Sequence, residues 1–284
     1  MGLIILGAEN LASDQADQNP NTSKRGKEAE QLRKQWIELI DLPDDYFKVV
    51  FHNYQKFPAD EWDAIKNALP AGKFSNYLVE ADMSSCVGMK EIGYRAFRQA
   101  NNLKKVSFPD GVETIGEDAF SYTSVLELSD LPDTIKTFNE SCFSNSGISI
   151  SKLPKNTKTI KSHAFGFSAV TISKLPETLE TVEDSFIQCE GITNIEVACN
   201  TLPEFAFMQC FSLEKVWLRS SCTTIHAEEH KYPFYACPED LEIYAEPAAK
   251  LDGWETYYNW TSRTHGQDVE KEVTVTFNQT TSPF

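Results

Sequence analysis

Nothing in this chain is apolar for long enough to cross a membrane. No run approaches the roughly 18 residues that a span requires, and the opening Leu3-Ile4-Ile5-Leu6 is shorter than the apolar region of a secretory signal. Two compartments stay open: the cytoplasm, or the outside of a cell with a signal already removed. Positive charge is scarce. Lys and Arg number 26 against 42 Asp and Glu, a formal net charge of −16, which disfavours nucleic acid and anionic membranes because phosphate recognition needs clustered cations. Cysteine is limited to 7, an odd number with no C-x-x-C pair, so neither a zinc ribbon nor a complete disulfide framework is encoded. A Gly-rich phosphate loop, a serine elbow and a dense acidic metal loop are missing too. No cofactor, metal or catalytic residue is therefore expected. The 41% apolar content of the 284 residues is still enough to build a core.

Composition divides the chain. Residues 1–27 read as a flexible leader, since 9–27 are mostly polar with no apolar period. Residues 28–72 read as a helical N-terminal cap: Leu32, Trp36, Leu39 and Ile40 fall at helical spacing, and Trp62, Ile65 and Leu69 follow Pro58 on one face. Such helices would cover the open end of the segment C-terminal to them.

That segment, 73–245, is repetitive. Phe97, Phe120, Phe143, Phe165, Phe186 and Phe207 recur at spacings of 23, 23, 22, 21 and 21. Ala96, Ala119, Ala164 and Ala206 precede four of them, with Cys142 and Ser185 as small substitutes. Five residues before four of the phenylalanines stand Ile92, Ile115, Phe138 and Ile160, and eight before stand Met89, Val112, Ile135 and Thr157. A period in this range marks a stack of supersecondary units.

Each unit carries one short β-rich run: Val106-Ser107-Phe108, Leu126-Glu127-Leu128, Ile148-Ser149-Ile150, Val170-Thr171-Ile172, Ile195-Glu196-Val197 and Val216-Trp217-Leu218. Alternation points the outer two side chains inward and the middle one outward. One strand per unit cannot make a hairpin meander, so the strands must stack in parallel as coils of a solenoid. The expected fold is an α/β repeat solenoid of about seven right-handed coils, with one narrow parallel sheet and helical N-terminal and C-terminal caps. The outward row Ser107, Glu127, Ser149, Thr171, Glu196 and Trp217 is the candidate binding surface. Trp217 is its one aromatic, exposed unless the segment around His226 or the end of the chain covers it. Residues 246–265, with Trp254, Tyr257, Tyr258 and Trp260, read as a C-terminal cap. In 266–284, Val273-Thr274-Val275-Thr276-Phe277 alternates like a strand that begins a further module or pairs at an edge.

The stretch KKVSFPDGVETIGEDAF at 104–120 resembles the repeat of BspA-like leucine-rich repeat proteins. DEWDAIKNALPAGKFSNYLVEADMSSC (60–86) is similar to the lead-in of such arrays, and CPEDLEIYAEPAAKLDGWETYYNW (237–260) to their ending. The resemblance implies leucine-rich-repeat coils and a secreted or cell-surface protein that adheres to host or neighbouring-cell macromolecules. On that basis the chain is expected to be a monomeric, extracellular binding module for a protein or glycan. A carbohydrate-binding surface protein, with Trp217 and the C-terminal aromatics as platform, is the alternative.

Two motifs need separate weighing. Cys189, Cys210 and Cys237 lie three residues after a Phe of the repeat, where other coils carry Ala100, Thr123, Ser146 and Ser168. Cys199 and Cys222 replace apolar residues such as Val112. Reduced packing is expected at both, since free Cys behaves as a small hydrophobe. His226-Ala227-Glu228-Glu229-His230 matches the H-x-x-E-H pattern of inverted zinc proteases. Its polar flanks leave no room for a long helix, so it reads as a solvated loop, with a metal-dependent hydrolase at His226 and His230 as the remote alternative. Asn21, Asn139, Asn259 and Asn278 lie in glycosylation sequons, which matter only in a eukaryotic secretory pathway.

Overall fold

The computed structural model describes residues 3–7, 36–43, 46–55, 57, 62, 65, 76–225, 232–238, 240–246, 259–264, 267–272, 275–276 and 280–284. Its strands begin with β1 (Leu3–Gly7), β2 (Trp36–Leu42), β3 (Tyr46–His52) and β4 (Leu78–Asp82). Through the repeats run β5 (Glu91–Ile92), β6 (Leu103–Ser107), β7 (Thr114–Ile115), β8 (Thr137–Phe138), β9 (Thr159–Ile160) and β10 (Lys174–Leu175). They continue as β11 (Thr181–Val182), β12 (Asn194–Val197), β13 (Thr201–Leu202), β14 (Lys215–Leu218), β15 (Thr224–Ile225) and β16 (Glu242–Ala245). The last are β17 (Asn259–Thr264), β18 (Gln267–Glu272) and β19 (Val275–Thr276).

The repeat columns become one core. Phe97, Phe120, Phe143, Phe165, Phe186 and Phe207 are fully buried. Their rings stack face to face in sequence at 5.1, 5.1, 5.8, 5.5 and 5.3 Å, with Phe234 joining as a seventh ring 5.8 Å beyond Phe207. The small column before each Phe and the two apolar columns are also buried. In the proline column, the carbonyls of Pro109, Pro132, Pro154 and Pro176 accept from the N–H groups of Val112, Ile135, Thr157 and Leu179. Proline thus sets a tight turn at the place where its missing N–H costs nothing.

Around five of the phenylalanines, Phe97, Phe120, Phe143, Phe165 and Phe207, the backbone makes a corner in which residues two before and two after take the left-handed conformation, as at Arg95 and Gln99, Asp118 and Tyr122, and Ser141 and Asn145. The alternation turns every second peptide along the stacking direction. Arg95, Phe97 and Gln99 donate to the carbonyls of Glu117, Ala119 and Ser121 in the next coil, and Asp118, Phe120 and Tyr122 repeat this toward Glu140, Cys142 and Ser144. Coils approach so closely that a Cβ on Gly116 would lie 2.5 Å from the Ile92 carbonyl oxygen.

Four expectations are corrected. The array carries two long parallel ladders, not one. The first is β5-β7-β8-β9-β11, and the other face holds β4-β6 at one end and β10-β12-β14-β16-β19 at the other. The stretch expected as the first helix of the N-terminal cap forms a hairpin of β2 and β3 that joins β4 in parallel. Ile37, Leu39, Val49 and Phe51 are buried on alternating positions, so β-branched and aromatic residues at period two outweigh the helical spacing of Trp36, Leu39 and Ile40. Trp62 and Ile65 do have helical backbone and are buried, but no helical element is bounded among the described residues. Of the expected helical C-terminal cap, residues 247–258 lie outside the described residues, while 259–264 form β17, which pairs antiparallel with β18, and β19 adds to the edge of β16. Residues 9–27 lie outside the described residues, while Leu3–Gly7, expected in the leader, pair with β2.

Candidate binding surface

The coil-to-coil register decides what the outward face can do. Ser107 stands opposite Asp82. The expected strands at 126–128, 148–150 and 170–172 are not formed; coil to coil, Glu127 donates its N–H to the Lys104 carbonyl, Ser149 to Leu128 and Thr171 to Ile150, contacts that set them nearest Lys105, Ser129 and Ser151. Glu196 pairs with Lys174, and only then does the expected alignment appear, Glu196 against Trp217. The six residues share a face, but they do not form one straight row. Up to Glu196 each member sits two or three residues out of register with its predecessor.

Two surfaces result. An open groove of about 490 Å³ gathers Ser107, Glu127 and Ser149 with Glu80, Lys105 and Ser129. Glu127 is exposed and pairs with Lys104 at 3.1 Å, and with Glu80, Lys105 and Asp130 also in its lining the groove is of mixed charge. Thr171 is exposed beyond its rim.

The second surface centres on Trp217, in register with Tyr244 of β16, which is in turn aligned with Thr276 of β19. Of the two alternatives left open for Trp217, the covered one holds: it is only 8% exposed. The Arg219 guanidinium lies 4.6 Å from its ring centroid, and Phe284 meets it edge-on at 6.4 Å. Arg219 is fixed by Glu196 and Glu246, each at 2.7 Å, and Glu196 also holds Lys174 at 2.9 Å. Arg219 had a sequence signal, since it stands two residues after Trp217 on the same strand face. Phe284 had none.

All seven cysteines are free and buried. The thiols of Cys189, Cys210 and Cys237 donate to the carbonyls of Phe165, Phe186 and Phe207 in the preceding coil, each at 3.1 Å. Thr123, Ser146 and Ser168 donate instead to the Phe carbonyl of their own coil. Burial pushes the Cys189 and Cys237 thiols up to about 12 and Cys199 to about 11, opposite to the shift a nucleophilic cysteine needs. His226 to His230 lie outside the described residues, as do Trp254, Tyr257 and Tyr258. Among the described residues no group of three His, Cys, Asp or Glu is arranged to hold a metal ion.

A parallel solenoid of 21- to 23-residue coils around a phenylalanine stack defines a class of repeat protein. The BspA-type leucine-rich repeat region matches this chain in six copies, over residues 90–202 and 152–243. Together these exceed half of the chain, which therefore belongs to that family. Among solved structures, a leucine-rich repeat protein from Bacteroides ovatus is 21% identical with a TM-score of 0.44. The match covers 76% of this chain and 56% of that one, so this chain spans little more than half of that protein's length. A leucine-rich cell surface protein from Faecalibacterium prausnitzii is 17% identical over 76% of each chain, TM-score 0.36. The pneumococcal vaccine antigen PcpA is 12% identical over 77% of this chain and 95% of its own, TM-score 0.30. Comparison with curated proteins gives no match.

Proposed function

We propose that this chain is a non-catalytic binding module, displayed outside the cell or at its surface, that holds a protein or glycan of a host or neighbouring cell against the outward face of its solenoid. The observation that carries this is the groove at Ser107, Glu127 and Ser149, whose lining comes from successive coils locked together by backbone hydrogen bonds. A rigid surface loses little affinity to its own ordering. Family membership supports the reading, and no helix among the described residues is long and apolar enough to cross a membrane. The test is to screen the full chain against immobilised matrix proteins and a glycan array, then to repeat any positive with Glu127→Arg and Ser149→Arg. Both positions are exposed, so folding is preserved. Binding should weaken at least tenfold, about 1.4 kcal/mol. Unchanged affinity in both variants would move the working surface elsewhere.

A second reading, carbohydrate binding, is favoured by one feature. Phe167 is 45% exposed in the left-handed conformation, and it lines a furrow together with Gly147, Ala169, Gly191, Gln188 and Glu190. A flat apolar ring next to an amide and a carboxylate suits the face and hydroxyls of a sugar. Loss of array signal in Phe167→Ala, with Glu127→Arg unaffected, would select this reading over the first.

A further inference from the structure

The Trp217 surface is covered by the chain itself, and the way it is covered is informative. The Arg219 half of the site is complete without the covering segment, because Glu196 and Glu246 fix the guanidinium over the indole from within the array. The covering half is looser. Phe284 contributes one edge-to-face contact at 6.4 Å and remains 47% exposed. It also leaves the site unsatisfied: the Trp217 Nε1–H is buried and has no acceptor among the described residues. A buried donor without a partner is uncommon in folded proteins and calls for an explanation.

From this geometry we infer that the Trp217 face is a docking site for an extended peptide that presents an aromatic side chain, and that residues 280–284 are its resident occupant, displaced when such a peptide binds. The inference rests on the outward face being the working surface. The resident supplies the ring but no acceptor for Nε1. A peptide that brings both an aromatic ring and a backbone carbonyl satisfies both groups, which is the advantage it needs. The resident's own advantage is its tether. Thr276 pairs with Tyr244, which pairs with Trp217, so the tether starts two strand spacings, roughly 10 Å, from the indole. Eight further residues reach at most roughly 28 Å, so the ring can leave and return, with an effective concentration on the order of millimolar. A free peptide therefore competes poorly unless the resident ring is removed.

The probe is an amidated synthetic peptide of residues 278–284, Asn-Gln-Thr-Thr-Ser-Pro-Phe, with its Phe-to-Ala counterpart as control. Full-length Phe284→Ala protein should bind the Phe peptide at least tenfold more tightly than the unaltered chain does, and should not bind the control. Acrylamide should quench tryptophan emission more strongly in Phe284→Ala than in the unaltered chain, and adding the Phe peptide should reverse the difference. Placing Trp217→Leu in the Phe284→Ala background should abolish peptide binding while the melting profile stays cooperative. Where Leu disturbs the coil, Arg219→Gln, at the clamp over the ring, should still weaken peptide binding. Equal peptide affinity in native and Phe284→Ala chains, unaltered quenching, or binding that survives loss of Trp217 would overturn the inference. None of these readouts involves a macromolecular partner, so failure here leaves the groove at Glu127 and Ser149 untouched, and failure there leaves this result standing.

Discussion

Replacing Phe143 with Ala removes the middle of the aromatic stack. The ring is fully buried, 5.1 Å from Phe120 and 5.8 Å from Phe165 in parallel planes, with Phe138 tilted against it at 6.3 Å. A buried Phe→Ala change costs about 3–5 kcal/mol, and each aromatic partner is worth about 0.5–1.5 kcal/mol beyond the area it buries. With rings on both sides, Phe143→Ala belongs in the upper half of that range, about 4 kcal/mol. Urea unfolding followed by far-ultraviolet circular dichroism measures the loss, provided the slope is unchanged from the parent. The stack also dictates which losses interact. Phe120→Ala with Phe143→Ala removes neighbouring rings and should depart from additivity by at least 0.5 kcal/mol, whereas Phe97→Ala with Phe186→Ala should add, as distant sites do. A cost below about 1.5 kcal/mol for Phe143→Ala, or equal coupling in the two pairs, would refute the argument from stacking.

Thiol titration of the unreduced protein in denaturant should give seven free thiols, and the native protein should react slowly because all are buried; fewer than three would contradict the packing role of the cysteine columns. Gly116→Ala should destabilise by about 1–3 kcal/mol, since its Cβ would press on the Ile92 carbonyl and Gly93 backbone; a Tm equal to the parent's would refute the close coil approach. Hydrogen bonds from Lys136, then Lys90, hold the Glu113 carboxyl down to about 2 from 4.5. A depressed acid stabilises the fold above its ordinary value and loses that contribution as pH falls toward 2. Glu113→Gln should therefore narrow its Tm gap to the parent between pH 5 and 2, and a constant gap would count against the pairing.

The solenoid was legible because its signal is repeated: a column of six Phe at one period survives a substitution such as Cys142 or Ser185 in the column beside it. The N-terminal hairpin was misread because Trp36, Leu39 and Ile40 fit a helical face, while the period-two signal of Ile37 and Leu39 occurs once and has no neighbouring copy to reinforce it. Register was beyond the sequence. The outward triplets identify which side chain leaves the coil, but their alignment depends on the connection that brings each strand back, and that is set by backbone contacts such as Ser149 to Leu128. Closure of Trp217 by the end of the chain was legible only as one of two alternatives, and the residue that closes it was not, because Phe284 has no periodic relation to the strand it covers.

The corner ladder has a mechanical side. Its hydrogen bonds run from coil to coil, parallel to the stacking direction, so a force pulling the ends of the array apart loads one interface at a time and does not shear many rungs together. Each coil that peels away releases its 21 to 23 residues, roughly 75 Å of chain at full extension. A molecule stretched between two attachment points would lengthen in a staircase of such steps, yielding at low force and absorbing work coil by coil without breaking its tether.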